Sequence, residues 1–233
     1  FGVGNAHGLP PHITGKDFLR YFELKAGTPE AYAFSSTDHV ALSNSYGRIG
    51  GMAQMATLIK AIRAERSSNT LLIDCGDTWQ GSYTSLQTRG EDMVEVMNAM
   101  GVELMTAHWE FTYGESRDEE LIETLDFPFL AGNVRAFEWE EQVFPATADF
   151  VRGGVKITVI GQAFPYTPIA NPRYKIPSWS FGVREDVVRN NVTAARAEGA
   201  ELVVLLSHDG FDVDRKLAGR TDGIDVILRL RNI

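Results

Sequence analysis

The chain has 233 residues, 44% hydrophobic and 23% charged, which are the proportions of an ordinary globular domain and not of a fibrous or disordered chain. A formal net charge of -9 supplies no basic stripe to neutralise phosphates, which argues against nucleic acid as a partner. No apolar run is long enough to span a bilayer, and no charged segment followed by an apolar stretch marks a signal peptide.

The opening run Phe-Gly-Val-Gly-Asn-Ala-His-Gly-Leu-Pro-Pro-His reads as loop, with His7 and His12 on an ordinary surface, and residues 1–45 read as a mostly loop lead-in. Met52, Met55, Leu58, Ile59 and Ile62 recur at helical spacing, which predicts a helix over about 51–66 whose apolar stripe covers the sheet. A strand over 70–74 buries Leu71, Leu72 and Ile73 and stops at Gly76-Asp77. Met93, Val94, Val96 and Met97 predict a helix over roughly 90–100, ended by Gly101. A strand then leads to His108, followed by a helix near 117–125 and a short strand at 128–131 that runs into Gly132-Asn133.

Residues 143–161 hold two strands separated by Arg152-Gly153-Gly154, a hairpin that suits a sheet with an antiparallel portion. Pro165, Pro168, Pro172 and Pro177 punctuate a long loop, too polar and irregular for core and of the kind that lines active-site mouths. A helix over 182–198, a strand over 202–206, a helix over 212–219 and a strand over 224–228 complete the alternation, and a single domain over 1–233 accommodates them.

The chemistry concentrates at strand ends. Open α/β sheets place ligands beyond the carboxyl ends of their strands, where Asp77, His108 and His208 each follow an apolar run. Each has a plain structural reading as well: an Asp there caps a helix or closes an Asx-turn, and a lone His is usually a hydrogen-bonding residue. The three together form a mixed oxygen and nitrogen set suited to manganese, iron or zinc. The single Cys75 reads as a small buried residue and not a catalytic thiol, and Glu138, Glu140 and Glu141 read as a solvated face.

These residues resemble the binuclear metallophosphoesterases of the 5'-nucleotidase type, whose pattern runs Asp-x-His, Gly-Asp, Gly-Asn-His-Glu-Phe-Asp, a later strand-end His and Gly-His-x-His. Gly76-Asp77 matches the second element and His208 the fourth. Ala107-His108-Trp109-Glu110-Phe111-Thr112 stands where the third is expected: His108 replaces the Asn ligand, Trp109 the catalytic His, and Thr112 the Asp that orients that His. Loss of this dyad would impair a phosphomonoesterase. The segment is similar to the SoxB-type thiosulfohydrolase branch. Tyr46-Gly47-Arg48-Ile49-Gly50-Gly51 and Gly210-Phe211-Asp212-Val213-Asp214 extend the resemblance. Asp-x-His and Gly-His-x-His are missing, and Arg229-Leu230-Arg231-Asn232-Ile233 stands as an atypical tail, so an internal fragment of a longer protein is expected, inactive by itself.

The resemblance implies a layered α/β/β/α calcineurin-like sandwich with mixed sheets, incomplete at both ends. It also implies two manganese ions, with Asp77 bridging them and His108 and His208 contributing to one metal, and a catalytic-site role for Trp109 as a wall. The implied substrate is a cysteine S-thiosulfonate on the periplasmic SoxYZ carrier, and the product is sulfate. The rival readings are a nucleotidase-type phosphoester hydrolase and a metal-free binding module that kept the fold and lost the chemistry.

Overall fold

A computed structural model describes residues 15–25, 27–28, 30–31, 44, 50–67 and 69–230. His7, His12, Tyr46 through Ile49 and the last three positions of the tail lie outside the described residues. Contacts divide the chain into two compact units, Phe1–Leu58 and Ile59–Ile233.

In the first unit, helix α1 (Gly15–Tyr21), within the stretch expected to be mostly loop, packs Phe18 and Leu19 against Ala31. Helix α2 (Met52–Arg66), whose residues from Ile59 onward belong to the second unit, forms where the apolar spacing predicts it, but none of its residues is buried, and Leu58 is 62% exposed. The burial expected of this stripe is corrected: Met52, Met55, Leu58 and Ile62 are exposed. Periodicity says that a face is able to be buried, not that something buries it.

In the second unit the elements are β1 (Ile73–Asp74), α3 (Tyr83–Thr88), α4 (Glu91–Met100), β2 (Leu104–Met105), α5 (Glu115–Glu123), β3 (Arg135–Ala136), β4 (Thr147–Arg152) and β5 (Val155–Gln162). Then come α6 (Thr167–Ala170), β6 (Trp179–Ser180), α7 (Glu185–Ala197), β7 (Leu202–Ser207), α8 (Phe211–Ala218) and β8 (Val226–Arg229). One sheet pairs β1 with β2 in parallel and is extended by a bridge from Met105 to Phe129, so the strand expected at 128–131 is reduced to a single bridge. The other sheet has the order β4-β5-β7-β8, antiparallel at its β4 edge and parallel elsewhere. Its hairpin turns through Gly153 and Gly154, with φ of 57° and 84°, the pair of positive φ angles that a tight hairpin turn demands.

Alternation along β5 and β7 sorts the core into layers. Val159, Val204 and Leu206 face Leu104 and Leu130 between the two sheets. Ile160, Val203 and Leu205 face Val188 and Val192 of α7 and Leu217 of α8. Val94 and Met97 of α4 and Leu121 of α5 cover the other side of the β1-β2 sheet around Met105 and Phe111. The order is therefore helix, sheet, sheet, helix, and at strand ends the two sheets deliver their residues to one edge.

Two further expectations change. Leu71, Leu72 and Ile73 are only partly buried. The proline-punctuated loop, read as too polar for core, sends Ile176 and Trp179 into it, 0% and 4% exposed, with the Trp179 ring 5.1 Å from Phe144 and 5.6 Å from Phe111. Two apolar residues in an irregular segment leave no period to read. Arg229, assigned to the atypical tail, continues β8 and pairs with Ser207.

Candidate metal centre

Beyond β1 the chain turns through Gly76 and Asp77, both left-handed with φ of 88° and 69°. A Cβ on Gly76 would lie 2.8 Å from the Ala107 carbonyl carbon and 3.0 Å from the His108 nitrogen, so only glycine lets this loop touch the His108 segment. The Asx-turn is made by Asp74: its Oδ1 accepts from the Gly76 N–H at 2.6 Å and its Oδ2 from the Thr78 hydroxyl at 2.8 Å. Burial, and then the nearby Glu110, push Asp74 up to about 6. Asp77, relieved of that task, stays partly exposed, and burial raises its pKa while His208 opposes the rise.

The segment after β2 is not strand up to its polar cluster, as the sequence suggested. It leaves the sheet at Met105 and enters a 3-10 turn, Trp109–Tyr113. His108, at the head of that turn, is 5% exposed, and its Nδ1 lies 3.2 Å from Asp77 Oδ1 without making a hydrogen bond. Burial, and then His208, lower its pKa to about 4, so the ring is neutral at ordinary pH. The His208 ring, fully buried, stacks on it at 4.1 Å and 7°. His208 Nδ1 lies 2.5 Å from the Cys75 carbonyl, which fixes a proton on Nδ1 and, in the neutral ring, the lone pair on Nε2.

The end of β5 joins the two histidine segments: the Phe164 N–H donates to the Ala107 carbonyl and the His208 N–H to the Gln162 carbonyl, both at 2.9 Å. The Phe164 ring meets His108 edge-on at 4.3 Å, and Trp109 does so at 5.1 Å from its own side. Asn133 secures this corner, with its carboxamide bonded to the Ala163 backbone at 2.6 and 2.8 Å. Beneath His208, Ser207 donates to Asp214 at 2.6 Å, and burial followed by the Asp214 charge raises Asp209 to about 8.

The three strand-end residues thus meet through two contacts, Asp77 with His108 and His108 with His208. A carboxylate beside a buried imidazole nitrogen that makes no hydrogen bond is an arrangement that a divalent cation satisfies, so the donor chemistry fits one. Their number does not complete it: among the described residues no group of three or more His, Cys, Asp or Glu side chains closes on one point able to hold a metal ion. The sequence reading passed over Asp74, Glu110, Phe164 and the Cys75 carbonyl. Glu110 and Phe164 carry visible side chains near the motifs, whereas a carbonyl's role has no sequence signal.

No family model matches the chain. Over 187 residues it is 29% identical to a snake venom 5'-nucleotidase of Gloydius brevicauda, covering 77% of this chain and 31% of that protein. It is 25% identical over 202 residues to the 5'-nucleotidase of Bos taurus, covering 83% and 34%. Among solved structures, a 5'-nucleotidase precursor from Thermus thermophilus superposes with a TM-score of 0.69 at 29% identity, over 77% of this chain and 35% of that one. The chain spans about a third of the length of the curated relatives it matches. It belongs to the 5'-nucleotidase and metallophosphoesterase superfamily, with the layered, mixed-sheet α/β fold expected of it, and its neighbours there are hydrolases. Within that superfamily it is SoxB-like: the sulfate thiohydrolase SoxB of Thermus thermophilus superposes with a TM-score of 0.79 at 38% identity, over 98% of this chain and 43% of that one.

Proposed function

We propose that the complete protein is a binuclear-metal thiosulfohydrolase that releases sulfate from a cysteine S-thiosulfonate on the SoxYZ carrier, in the periplasm. The observation that carries this reading is Trp109: an indole stands edge-on to His108 where a 5'-nucleotidase would carry its catalytic His, in a chain 38% identical to SoxB over 98% of its length. Asp77, His108 and His208 are the proposed ligands this chain contributes, and a full set needs more donors than these.

In the proposed reaction water adds to the sulfonate sulfur, and the sulfur–sulfur bond breaks with its electron pair leaving on the persulfide. The two protons of water are released. Two manganese ions would activate the water and neutralise the sulfonate oxygens. The chain's own residues prepare the site. The Cys75 carbonyl holds the His208 tautomer with its lone pair on Nε2. His108, lowered to about 4, stays a neutral donor at ordinary pH. Trp109 and Phe164 shield the imidazole edges from water. A persulfide leaves readily, so no general acid is required, and Trp109 can serve as wall where the phosphatase dyad would sit.

The test is the full-length protein with a carrier bearing the cysteine-bound thiosulfonate, assayed for sulfate, beside the same protein with AMP. Sulfate release without AMP hydrolysis is expected; AMP hydrolysis alone would assign the protein to the nucleotidases. Purification without stoichiometric metal and without either activity would make it a binding module. The double variant Trp109→His with Thr112→Asp should raise phosphatase activity, and no rise at all would overturn the role given to Trp109.

A further inference from the structure

Glu110 is 1% exposed and is used by two segments at once. Its Oε1 accepts from the Thr78 N–H at 2.7 Å and from the Trp79 N–H at 3.4 Å, on the loop that carries Asp77. Its Oε2 accepts from the His108 N–H at 2.5 Å. The second contact is local, two residues back, and caps the 3-10 turn. The first crosses 32 residues of sequence to a loop that reaches it only because Gly76 has no side chain.

Resting on the dimetal reading above, we propose that Glu110 is a positioning residue whose two carboxylate oxygens set the spacing between Asp77 and His108, and so the metal affinity of the site. The carboxylate touches neither proposed ligand's side chain. It holds the backbone on the carboxyl side of Asp77 and on the amino side of His108, which restricts both ligands to one mutual placement. Left-handed Asp77 is a strained conformation for a residue with a side chain, and the N–H bonds from Thr78 and Trp79 immediately after it keep the loop in that shape. A mere cap needs one oxygen; the clamp needs two.

That difference makes Glu110→Gln the informative variant. Glutamine keeps one acceptor oxygen and puts an NH2 donor against the other backbone N–H, so it can hold one loop but not both. The measurement is Mn2+ titration of the full-length protein, followed by the magnetic resonance signal of free Mn2+, together with amide hydrogen exchange at Thr78 and His108. Affinity should fall about 10- to 100-fold, the range typical of lost outer-shell partners, with exchange accelerated at one or both amides. Loading should be restored at high Mn2+. Val192→Ala, on the buried face of α7, serves as the control: it should lower the melting temperature and leave Mn2+ affinity unchanged. Equal affinity in wild type and folded Glu110→Gln overturns the clamp alone. No Mn2+ bound by wild type overturns the dimetal reading and the clamp with it. If Glu110→Gln fails to fold, Glu110→Asp carries the same expectation, since it keeps the charge but is one methylene too short to span both loops.

Discussion

β1 and β2 contribute two residues each to their sheet, whereas β5 and β7 run for eight and six. The long strands are held by apolar burial on both faces, the pattern of buried parallel strands. Beyond the short strands, the order of the loops comes from polar crosslinks: Asp74 to Gly76 and Thr78, Glu110 to Thr78, Trp79 and His108, and His208 to Cys75. Apolar packing is non-directional and tolerates small shifts, so it builds the scaffold. Hydrogen bonds between named atoms fix separations to tenths of an ångström, which is what a ligand site needs.

The largest effect should separate these regions by function. Asp77→Asn in the full-length protein should abolish tight Mn2+ binding and lower kcat/KM about a thousandfold, the several kcal/mol a metal ion contributes, with little change in melting temperature. Leu206→Ala, in the apolar layer between the sheets, should do the reverse, costing about 2–5 kcal/mol of stability with Mn2+ affinity unchanged. Denaturant melts and Mn2+ titrations on both variants check this, and metal affinity falling equally in the two would dissolve the distinction.

A smaller effect concerns a carboxylate on the site side that the polar crosslinks leave out. Asp118 of α5 is fully buried with neither oxygen hydrogen-bonded, and burial, followed by Glu110, raises its pKa to about 9, with Arg89 opposing. Between the ordinary carboxylate range and about 9 the folded chain keeps a proton that the unfolded chain has released, so stability falls as pH rises through that window. Asp118→Asn keeps the shape without the charge. Its melting temperature should match wild type near pH 5 and exceed it near pH 9, and a wild-type melting curve independent of pH across that interval would contradict the assignment.

The smallest effect belongs to the exposed stripe of α2. Leu58→Gln should change stability by no more than about 0.5 kcal/mol, as surface substitutions do. A loss several times larger in the full-length protein, read from a denaturant melt, would mean that the stripe is covered there.

Much of the candidate site was legible as positions. Asp77, His108 and His208 stand where apolar runs stop, because strand period and strand end are local properties of ten residues or fewer. Trp109 and Thr112, standing where the resembled family carries a His and an Asp, were equally legible, being residue types within a motif. The α4, α7, β5 and β7 segments announced themselves by their periods; Ile176 and Trp179 did not, because an irregular segment has none.

The sequence by itself determined the alternation of elements, the residue types available at the strand ends, and the branch of the superfamily that those types resemble. Only the tertiary structure decided that Asp74 makes the turn and leaves Asp77 available, that the two imidazoles stack, that a cysteine carbonyl chooses the His208 tautomer, and that Glu110 reaches a loop 32 residues away. The physical reason is range. A helix or strand is written in spacings of two to four residues, whereas these contacts join atoms distant in sequence, and backbone groups identical at every position carry no mark of which partner they will meet until the chain has folded.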